Sequence, residues 1–222
     1  MRDRAARRFS LIVFDWDGTL VDSTAIIASC LQAACRDVGE PVPDESSARF
    51  VIGLGLRDAL ARVAPNLAVE RYPELSARYR DHYLARDPDI PLFPGARELL
   101  DDLAAAGYLL GVATGKTRVG LDRALAAHSL RDRFHATRCA DEGRPKPHPD
   151  MLLNLMDRLG APAERTLMIG DTTHDLEVAR GAGARAVAVA YGAHEPAGLA
   201  ALAPLATVHS TAELRAWLAA NG

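Results

Sequence analysis

Four short apolar runs, each ending at a turn or a polar residue, constrain the fold of this chain most strongly. They are Leu11–Phe14, Leu109–Ala113, Thr166–Ile169 and Ala186–Ala190. Continuous apolar runs of this length are typical of strands that are buried on both faces, as in a parallel sheet. A further strand is predicted around Ala206–His209, and Phe134–Cys139 could add one more.

Helical patterns separate these runs. One spans residues 96–103 and is followed by Gly107 as a predicted C-cap, and a second spans residues 151–159 and is closed by Gly160. Residues 210–213, Ser-Thr-Ala-Glu, form a capping-box sequence that introduces a terminal helix. Strands that alternate with helices predict a doubly wound α/β fold with a mostly parallel sheet.

Residues 22–90 interrupt this alternation, because they contain no convincing strand. Apolar residues there follow helical spacing at Ile27–Val38, Leu56–Val63 and Val69–Arg86. Prolines mark the return to the sheet at Pro88, Pro91 and Pro94. We therefore predict an all-helical insert at residues 22–90 in an α/β core made of residues 1–21 and 91–222.

Composition limits the partners and the location of the protein. The 222 residues carry a formal net charge of −3, which gives no support for binding to nucleic acid or to an anionic membrane. The basic segment Met1–Arg8 precedes an apolar run too short for a signal peptide, and no stretch approaches the ~20 apolar residues of a membrane span. Three cysteines form no disulfide framework, so we expect buried thiols in a cytoplasmic protein. The oligomeric state, monomer or homodimer, stays open.

Polar residues cluster just after the predicted strands or before a helix. They are Asp15 and Asp17 after the first strand, Thr114, Gly115 and Lys116 after the second, Asp171 and Asp175 after the third, and Lys146 ahead of the 151–159 helix. In open α/β sheets, ligands bind outside the carboxyl ends of the strands. We therefore expect these clusters to meet at one crevice.

The residue types in this crevice suit phosphoryl transfer. Asp15, Asp17 and Asp171 would repel one another unless a cation lay between them, and Mg²⁺ prefers such oxygen ligands. Lys146 suits an anionic substrate, while Thr114 and the amides near Gly115 provide neutral donors at a helix N-terminus. One carboxylate can attack phosphorus, and a second can protonate the departing alkoxide.

The segment Phe14–Ser23 resembles the first signature of haloacid-dehalogenase-like hydrolases. Thr114, Lys146 and the pair Asp171 and Asp175 match the second, third and fourth signatures in order and spacing. The resemblance covers the whole chain and is strongest to the phosphoglycolate-phosphatase-like branch, which carries a helical cap. It implies a Rossmann-like core and Mg²⁺-dependent hydrolysis of a small organic phosphate monoester through an aspartyl-phosphate intermediate.

The resemblance also implies roles for the matched residues at the first and fourth signatures. Asp15 would be the nucleophile and Asp17 the general acid and base. Asp15, the backbone carbonyl of Asp17, and Asp171 would hold Mg²⁺. Asp175 would orient the metal shell or Lys146, and Thr19 fits the phosphatase form of the signature.

At the second and third signatures, the resemblance implies that Thr114 and Lys146 hold the phosphoryl group. The chain departs from the family pattern in two places: Trp16 replaces a commoner aliphatic residue, and Gly115 replaces an asparagine that is often found there. The latter change removes one side-chain donor. Arg57, in the predicted insert, could grip a substrate carboxylate or lie in a plain interhelical loop.

Several neighbouring residues have a plainer interpretation. We expect Lys116 to face solvent on its helix and His174 to point outward between Thr173 and Asp175. The later helix of the insert carries Tyr79, His82 and Tyr83, which we expect to pack rather than to contact substrate.

Three other functions stay open at this point. A phosphomutase of the β-phosphoglucomutase type would return the phosphoryl group to a sugar, and a pyrophosphate or nucleotide phosphatase would differ only in the contacts of the insert. A regulatory protein without turnover usually lacks the residues that correspond to Asp15, Asp17 or Lys146, and this chain has all three.

Overall fold

The computed structural model describes residues 7–87 and 90–222, so the beginning of the basic N-terminal segment and Pro88 lie outside the described residues. Six parallel strands form one sheet: β1 (Leu11–Phe14), β2 (Leu109–Thr114), β3 (Ala136–Cys139), β4 (Thr166–Gly170), β5 (Arg185–Val189) and β6 (Thr207–Val208). Each predicted strand is present, with its ends within two residues of the predicted ones.

Helices occupy most of the chain between the strands. They are α1 (Thr24–Asp37), α2 (Glu45–Phe50), α3 (Leu56–Val63), α4 (Tyr72–Leu84), α5 (Ala96–Ala105), α6 (Arg118–Ala127), α7 (Asp150–Leu159), α8 (Thr173–Gly181), α9 (Pro196–Ala200) and α10 (Thr211–Asn221). The doubly wound α/β prediction is confirmed. Helix α2 was not predicted, because six residues show too little periodicity. Its N-cap is Asp44, whose side chain accepts a hydrogen bond from the Ser47 amide.

The strand order β3-β2-β1-β4-β5-β6 places the first strand at the centre of the sheet. Its residues alternate between the two faces: Leu11 and Val13 pack in one apolar cluster with α7 and α8, while Ile12 and Phe14 pack in the other with α5 and α10. The order along the chain reverses between β1 and β4, and such a reversal opens a crevice at the carboxyl ends of the two strands.

Two glycines end helices as predicted. Gly107 and Gly160 follow α5 and α7 with φ of +81° and +63°, a left-handed conformation that costs glycine little. The predicted capping box of α10 forms only in part. Ser210 Oγ accepts a hydrogen bond from the Glu213 amide, but the Glu213 carboxylate accepts from the amide of His209 instead of Ser210.

Helices α1 to α4, which we call the four-helix segment, lie between β1 and α5 in the chain. Helix α1 packs along α4 and also against α2 and α3. The division of the chain into an insert at 22–90 and a core stays a prediction. Among the described residues, no helix is long and apolar enough to cross a membrane, and Cys30, Cys35 and Cys139 are buried and unpaired.

Candidate active site

The loop after β1 brings the first and fourth signatures together. The Asp15 amide donates to the Ile169 carbonyl at 2.8 Å, which extends the pairing of β1 with β4 by one residue. The chain then turns at Gly18, where φ is +79°. A Cβ atom at Gly18 would lie 2.2 Å from the Asp171 Oδ2 atom, so only glycine lets the turn lie against that carboxylate.

Three buried carboxylates meet at this point. Asp15, Asp171 and Asp175 each present an oxygen within 4.8 Å of the others, and all three side chains are buried. The ammonium group of Lys146, also buried, lies 2.8 Å from Asp15 Oδ1 and 2.6 Å from Asp175 Oδ1. One ammonium group therefore balances only part of the negative charge that three ionised carboxylates would carry.

Protein donors hold two of the three carboxylates in place. Asp171 accepts hydrogen bonds from the Thr19 hydroxyl at 2.8 Å and from the Ala193 amide at 2.7 Å. Asp175 Oδ2 accepts from the amide and hydroxyl of Thr172, which completes a reciprocal capping box at the start of α8. Asp175 thus contacts both Lys146 and Thr172.

Asp15 differs from the other two carboxylates. Its Oδ2 atom has no hydrogen-bond partner among the residues that the structure describes, although it is buried. An orphaned buried carboxylate oxygen is costly unless a ligand satisfies it. The orphan oxygen of Asp15 and the adjacent Asp171 fit a hard divalent cation such as Mg²⁺, which typically takes one or two protein carboxylates.

The acidity of these groups follows from burial. Burial raises the pKa of Asp15 well above its usual range; Lys146 opposes this change, and the carboxylates of Asp175 and Asp171 reinforce it. Burial, followed by the charge of Asp175, raises the pKa of Asp171 to about 7. Burial alone would lower the pKa of Lys146, but Asp15 and Asp175 raise it above its usual range. The site therefore stabilises an additional positive charge.

Asp17 lies in a second set of contacts beside the first. Its Oδ1 atom accepts a hydrogen bond from the Ser23 hydroxyl at 2.7 Å and lies 3.1 Å from the Lys116 ammonium group. Lys116 in turn donates to the Tyr83 hydroxyl of α4 at 2.7 Å. The side chain of Lys116 is only 11% exposed, so the expectation that it faces solvent is wrong.

Lysine usage could have revealed Lys116. Only two of the 26 basic residues of the chain are lysines, and both contact carboxylates of this site. A compact ammonium group can lie between close carboxylates where the wider guanidinium plane of arginine would not fit. In a chain that otherwise uses arginine, a lysine therefore indicates a position close to carboxylates.

The end of β2 adds Thr114 and Gly115 to the same edge of the sheet. Thr114 is buried, and its hydroxyl accepts a hydrogen bond from the Lys116 amide at 3.2 Å. Helix α6 begins later than we expected, at Arg118, with Thr117 as its N-cap. A Cβ atom at Gly115 would lie 2.5 Å from the Leu54 carbonyl oxygen and 2.7 Å from that of Gly53. Its lack of a side chain therefore lets the four-helix segment approach the sheet.

Arg57 does not join the other predicted site residues. It is exposed near the start of α3, off the buried face that Ala59, Leu60 and Val63 form. The loop before it does reach the end of β2 through the backbone of Gly53 and Leu54, while Arg57 itself is exposed.

His174 is buried, so the expectation that it points outward is wrong. Its Nε2 atom lies 2.9 Å from the Phe50 carbonyl oxygen, and the Nε2 atom of His194 lies 3.0 Å from the same oxygen. The Phe50 ring stacks on the ring of His194. Burial lowers the pKa of both histidines. These contacts join the end of α2 to the start of α8 and to the loop after β5, so the two histidines fasten the four-helix segment to the sheet.

A cavity of about 520 Å³ extends from Asp17 and Lys116 between the four-helix segment and the start of α6. Tyr79 and Tyr83 line it, with their rings stacked at 5.8 Å, and Tyr83 also contacts Lys116. His82 instead pairs with Asp37 on the surface at 2.7 Å. Tyr83 is buried in the main apolar cluster and Tyr79 packs against it, as expected, and both also line this cavity.

Comparison with known proteins shows which family and which relatives this chain resembles. The chain matches the family model of haloacid dehalogenase-like hydrolases over residues 12–189. The probable phosphatase IndB of Dickeya dadantii (strain 3937) is 38% identical over 213 residues, which make up 92% of this chain and 91% of that protein. A phosphoglycolate phosphatase of Aliivibrio fischeri is 31% identical over 191 residues, 82% of this chain and 84% of that protein.

Two further similarities widen the comparison. The tyrosine-protein kinase PtkA of Mycobacterium tuberculosis is 33% identical over 184 residues, which are 82% of this chain but 62% of that protein. The crystal structure of a hydrolase from Pseudomonas syringae superposes with a TM-score of 0.87 at 26% identity and covers 96% of this chain and 98% of that one.

Proposed function

We propose a reaction for this chain, which belongs to the haloacid dehalogenase-like hydrolase family and is a phosphatase of that family. In this proposal it hydrolyses small organic phosphate monoesters, the class that includes phosphoglycolate. The reaction uses Mg²⁺ and passes through an aspartyl-phosphate on Asp15. The observation that carries the proposal is the Asp15 carboxylate. It is buried beside Lys146 and Asp171, and one of its oxygens has no partner in the described part of the chain.

The nucleophile in this proposal is Asp15. A carboxylate oxygen of Asp15 forms a bond to phosphorus while the bond from phosphorus to the ester oxygen breaks. The Lys146 ammonium group, held by Asp175, and the Thr114 hydroxyl bind the phosphoryl oxygens and neutralise part of their charge. The Gly115 amide supplies a further neutral donor at the same strand end.

Asp17 moves the protons. It donates a proton to the departing alkoxide in the first step, and in the second it takes a proton from the water that attacks the phosphoryl group on Asp15. That attack releases inorganic phosphate and restores the Asp15 carboxylate. Ser23 and Lys116, which both contact Asp17 Oδ1, orient its carboxylate for these transfers.

Asp15, Asp171 and the backbone carbonyl of Asp17 would hold Mg²⁺ in this site. The ion, when bound, supplies positive charge that stabilises the phosphoryl oxygens as their charge develops. Asp175 is placed outside this set because its Oδ1 atom pairs with the Lys146 ammonium group, whereas Asp171 accepts only from neutral donors. Thr19 supports the metal site indirectly, through its hydrogen bond to Asp171.

We further propose that residues 22–90 act as a lid over the sheet and that the reaction takes place in the cytoplasm. The contacts of Tyr83 with Lys116 and of Phe50 with the two histidines support the lid. Three buried, unpaired cysteines are compatible with a reducing compartment. The partner in this proposal is a small phosphate ester, with no role for nucleic acid or a membrane.

The decisive experiment measures inorganic phosphate release from phosphoglycolate, ethyl phosphate, sugar phosphates, nucleotides and pyrophosphate, with Mg²⁺ and with a chelator. The comparison is between the unaltered protein, Asp15→Asn, and Asp132→Asn as a matched control on the exposed surface. We expect Mg²⁺-dependent release that Asp15→Asn abolishes and Asp132→Asn leaves unchanged. Intact mass spectrometry after acid quenching should detect phosphate bound to the unaltered protein and none on Asp15→Asn.

Other outcomes would overturn the proposal. Isomerised sugar phosphate without inorganic phosphate would indicate a mutase, and preference for pyrophosphate or a nucleotide would replace the substrate class. Folded protein that turns over none of these compounds would indicate a regulatory role.

A further inference from the structure

The cavity beside Asp17 is too large for the leaving group of phosphoglycolate. Its volume of about 520 Å³ falls within the range of about 300–1,000 Å³ that is typical of sites enclosing drug-sized ligands. A two-carbon acid would fill only a small part of it. Because Asp17 is the proposed proton donor to the leaving alkoxide and also lines the cavity, the alcohol part of a bound ester would extend into this space.

The wall of the cavity is mainly apolar and aromatic. Helix α1 contributes Ile27 and Leu31, the loop before α3 contributes Ile52 and Leu54, and α4 contributes the stacked Tyr79 and Tyr83. A flat ring is well matched to such a wall, because aromatic rings add a geometric preference to the burial of apolar surface.

Most of the charged groups on this wall already have a partner. Lys116 contacts Asp17, Arg123 pairs with Asp87, and Asp141 accepts hydrogen bonds from the Arg118 amide. Arg80 also lines the cavity, but it is exposed at the surface. The interior of the described wall therefore offers little to attract a second anion on the ligand.

Two exposed apolar side chains provide an independent indication of a ligand. Leu84 and Val119 line the cavity, yet they are 47% and 73% exposed. Large apolar side chains that are exposed together beside a concave site indicate a surface that a partner or ligand covers. An apolar group bound in the cavity would contact both side chains where they line it.

We infer that the preferred substrates are phosphate monoesters of uncharged, ring-bearing alcohols, whose ring occupies the cavity between α1, α4 and the start of α6. This inference rests on the proposed phosphatase activity and narrows its substrate class. It separates the protein from enzymes that select phosphoglycolate, because the cavity accommodates a larger alcohol and its interior lysine, Lys116, is already paired with Asp17.

Four esters that differ in size and charge test the inference. They are ethyl phosphate, phosphoglycolate, 2-phenylethyl phosphate, and the same phenylethyl ester with a carboxylate on its ring. We expect kcat/KM for 2-phenylethyl phosphate to exceed that for ethyl phosphate by about 10- to 100-fold, as expected for burial of a phenyl group. The ring carboxylate should remove most of this gain, and phosphoglycolate should be no better than ethyl phosphate.

A variant that fills the cavity provides the matched test. Ala59→Phe adds a ring from α3 into the cavity, whereas Ala77→Phe adds the same ring on the exposed side of α4. We expect Ala59→Phe to lower kcat/KM for 2-phenylethyl phosphate about tenfold or more and to leave ethyl phosphate hydrolysis nearly unchanged. Ala77→Phe should change neither. Val119→Glu tests the mouth of the same cavity at an exposed position where folding is not at risk.

A binding measurement separates failure of this inference from failure of the proposed function. Calorimetry with Asp15→Asn would compare a phenylethyl phosphonate with an ethyl phosphonate, neither of which can be hydrolysed. Tighter binding of the phenylethyl compound, lost in the Val119→Glu background, supports the inference even without turnover. Equal binding, preference for phosphoglycolate, or equal losses for both esters in Ala59→Phe would overturn it. Absence of phosphate release from every ester would contradict the proposed function alone.

Discussion

The two halves of the active site are built in opposite ways. At the end of the sheet, Asp15, Lys146, Asp171 and Asp175 are all buried, and polar contacts between them, Thr19 and Thr172 fix the geometry. In the cavity under the four-helix segment, apolar side chains form most of the wall, and two of them are exposed. The strand-end half suits the charged phosphoryl group, and the cavity half suits apolar alcohol groups of different shapes.

This difference has an energetic consequence. Buried charges balance one another, so removing one leaves the others unpaired and costs several kcal/mol. Apolar walls tolerate changes of shape at smaller cost, because each contact is individually weak. We therefore expect substitutions at the strand ends to abolish activity for every ester, and substitutions in the cavity to change which ester is preferred.

The largest expected effect is that of Lys146→Met. It leaves Asp15 and Asp175 without their shared cation, so phosphate release should become undetectable and the free energy of unfolding should fall by about 3–5 kcal/mol near neutral pH. Urea unfolding measures the loss. Because the pKa of Asp15 is raised in the folded protein, its bound proton stabilises the fold at low pH, and that contribution disappears as the pH rises.

The stability defect of Lys146→Met should therefore be larger at pH 8 than at pH 5. Lys116→Met is the matched control, since it removes the other lysine at a more accessible position. A small defect in Lys146→Met, independent of pH, would contradict the view that the strand-end half depends on charge balance.

Metal binding should stabilise the fold through Asp171. At a Mg²⁺ concentration 100 times its dissociation constant, binding contributes about 2.7 kcal/mol, or roughly 5–10 °C in the unfolding midpoint for a chain of this size. Because burial raises the pKa of Asp171 to about 7, protons compete with the metal below that pH, and the shift should be smaller at pH 5.5 than at pH 8. Thermal unfolding with Mg²⁺ and with a chelator measures this shift.

Asp171→Asn should remove the Mg²⁺-dependent shift, and Asp132→Asn should keep it. A shift of unchanged size in Asp171→Asn would exclude this residue as a ligand and would place the cation elsewhere.

The contact between Lys116 and Asp17 joins the two halves, and it should affect turnover in a way that depends on the leaving group. Lys116→Met removes one of the two side-chain contacts to Asp17 Oδ1 that the described residues make. We therefore expect kcat on ethyl phosphate to fall about 10- to 100-fold, within the range that proton transfer contributes. With p-nitrophenyl phosphate the fall should be smaller, because that leaving group departs without a proton. Asp17→Asn should show the same pattern with a larger fall in kcat. If Lys116→Met lowers kcat equally on both esters, Lys116 has only a structural role.

The sequence could predict the strand-end half because topology determines it. Once Asp15 and Asp171 follow strands of a doubly wound sheet, the order of the strands places them side by side. The reciprocal contacts of Asp175 with Thr172 are local. Gly18 likewise indicates the turn that lies against Asp171. Each of these signals lies within a few residues of the group it describes.

The cavity half could not be predicted, because distant segments form it. Lys116 and His174 looked exposed, since each lies near the start of a helix that follows a strand. Tyr83 covers the first and Phe50 contacts the second, from 33 and 124 residues away in the chain. Periodicity shows which face of a helix is buried, but it does not show which segment covers a loop. The role of Arg57 in binding substrate stays a prediction, because its exposure near the start of α3 does not show what it contacts.

Gly115 offers the smallest and most specific test of how the two halves fit together. A methyl group there would meet the backbone of Gly53 and Leu54 at 2.5–2.7 Å, so Gly115→Ala must push the four-helix segment away from the sheet. We expect kcat/KM for a ring-bearing ester to fall about tenfold while the catalytic carboxylates keep their contacts. Gly120→Ala is the matched control: its nearest neighbour is the Thr117 hydroxyl at 3.3 Å, and alanine is favoured over glycine in a helix. If Gly115→Ala and Gly120→Ala behave alike, close approach of the segment is not needed for turnover, and the cavity selects its ester without closing.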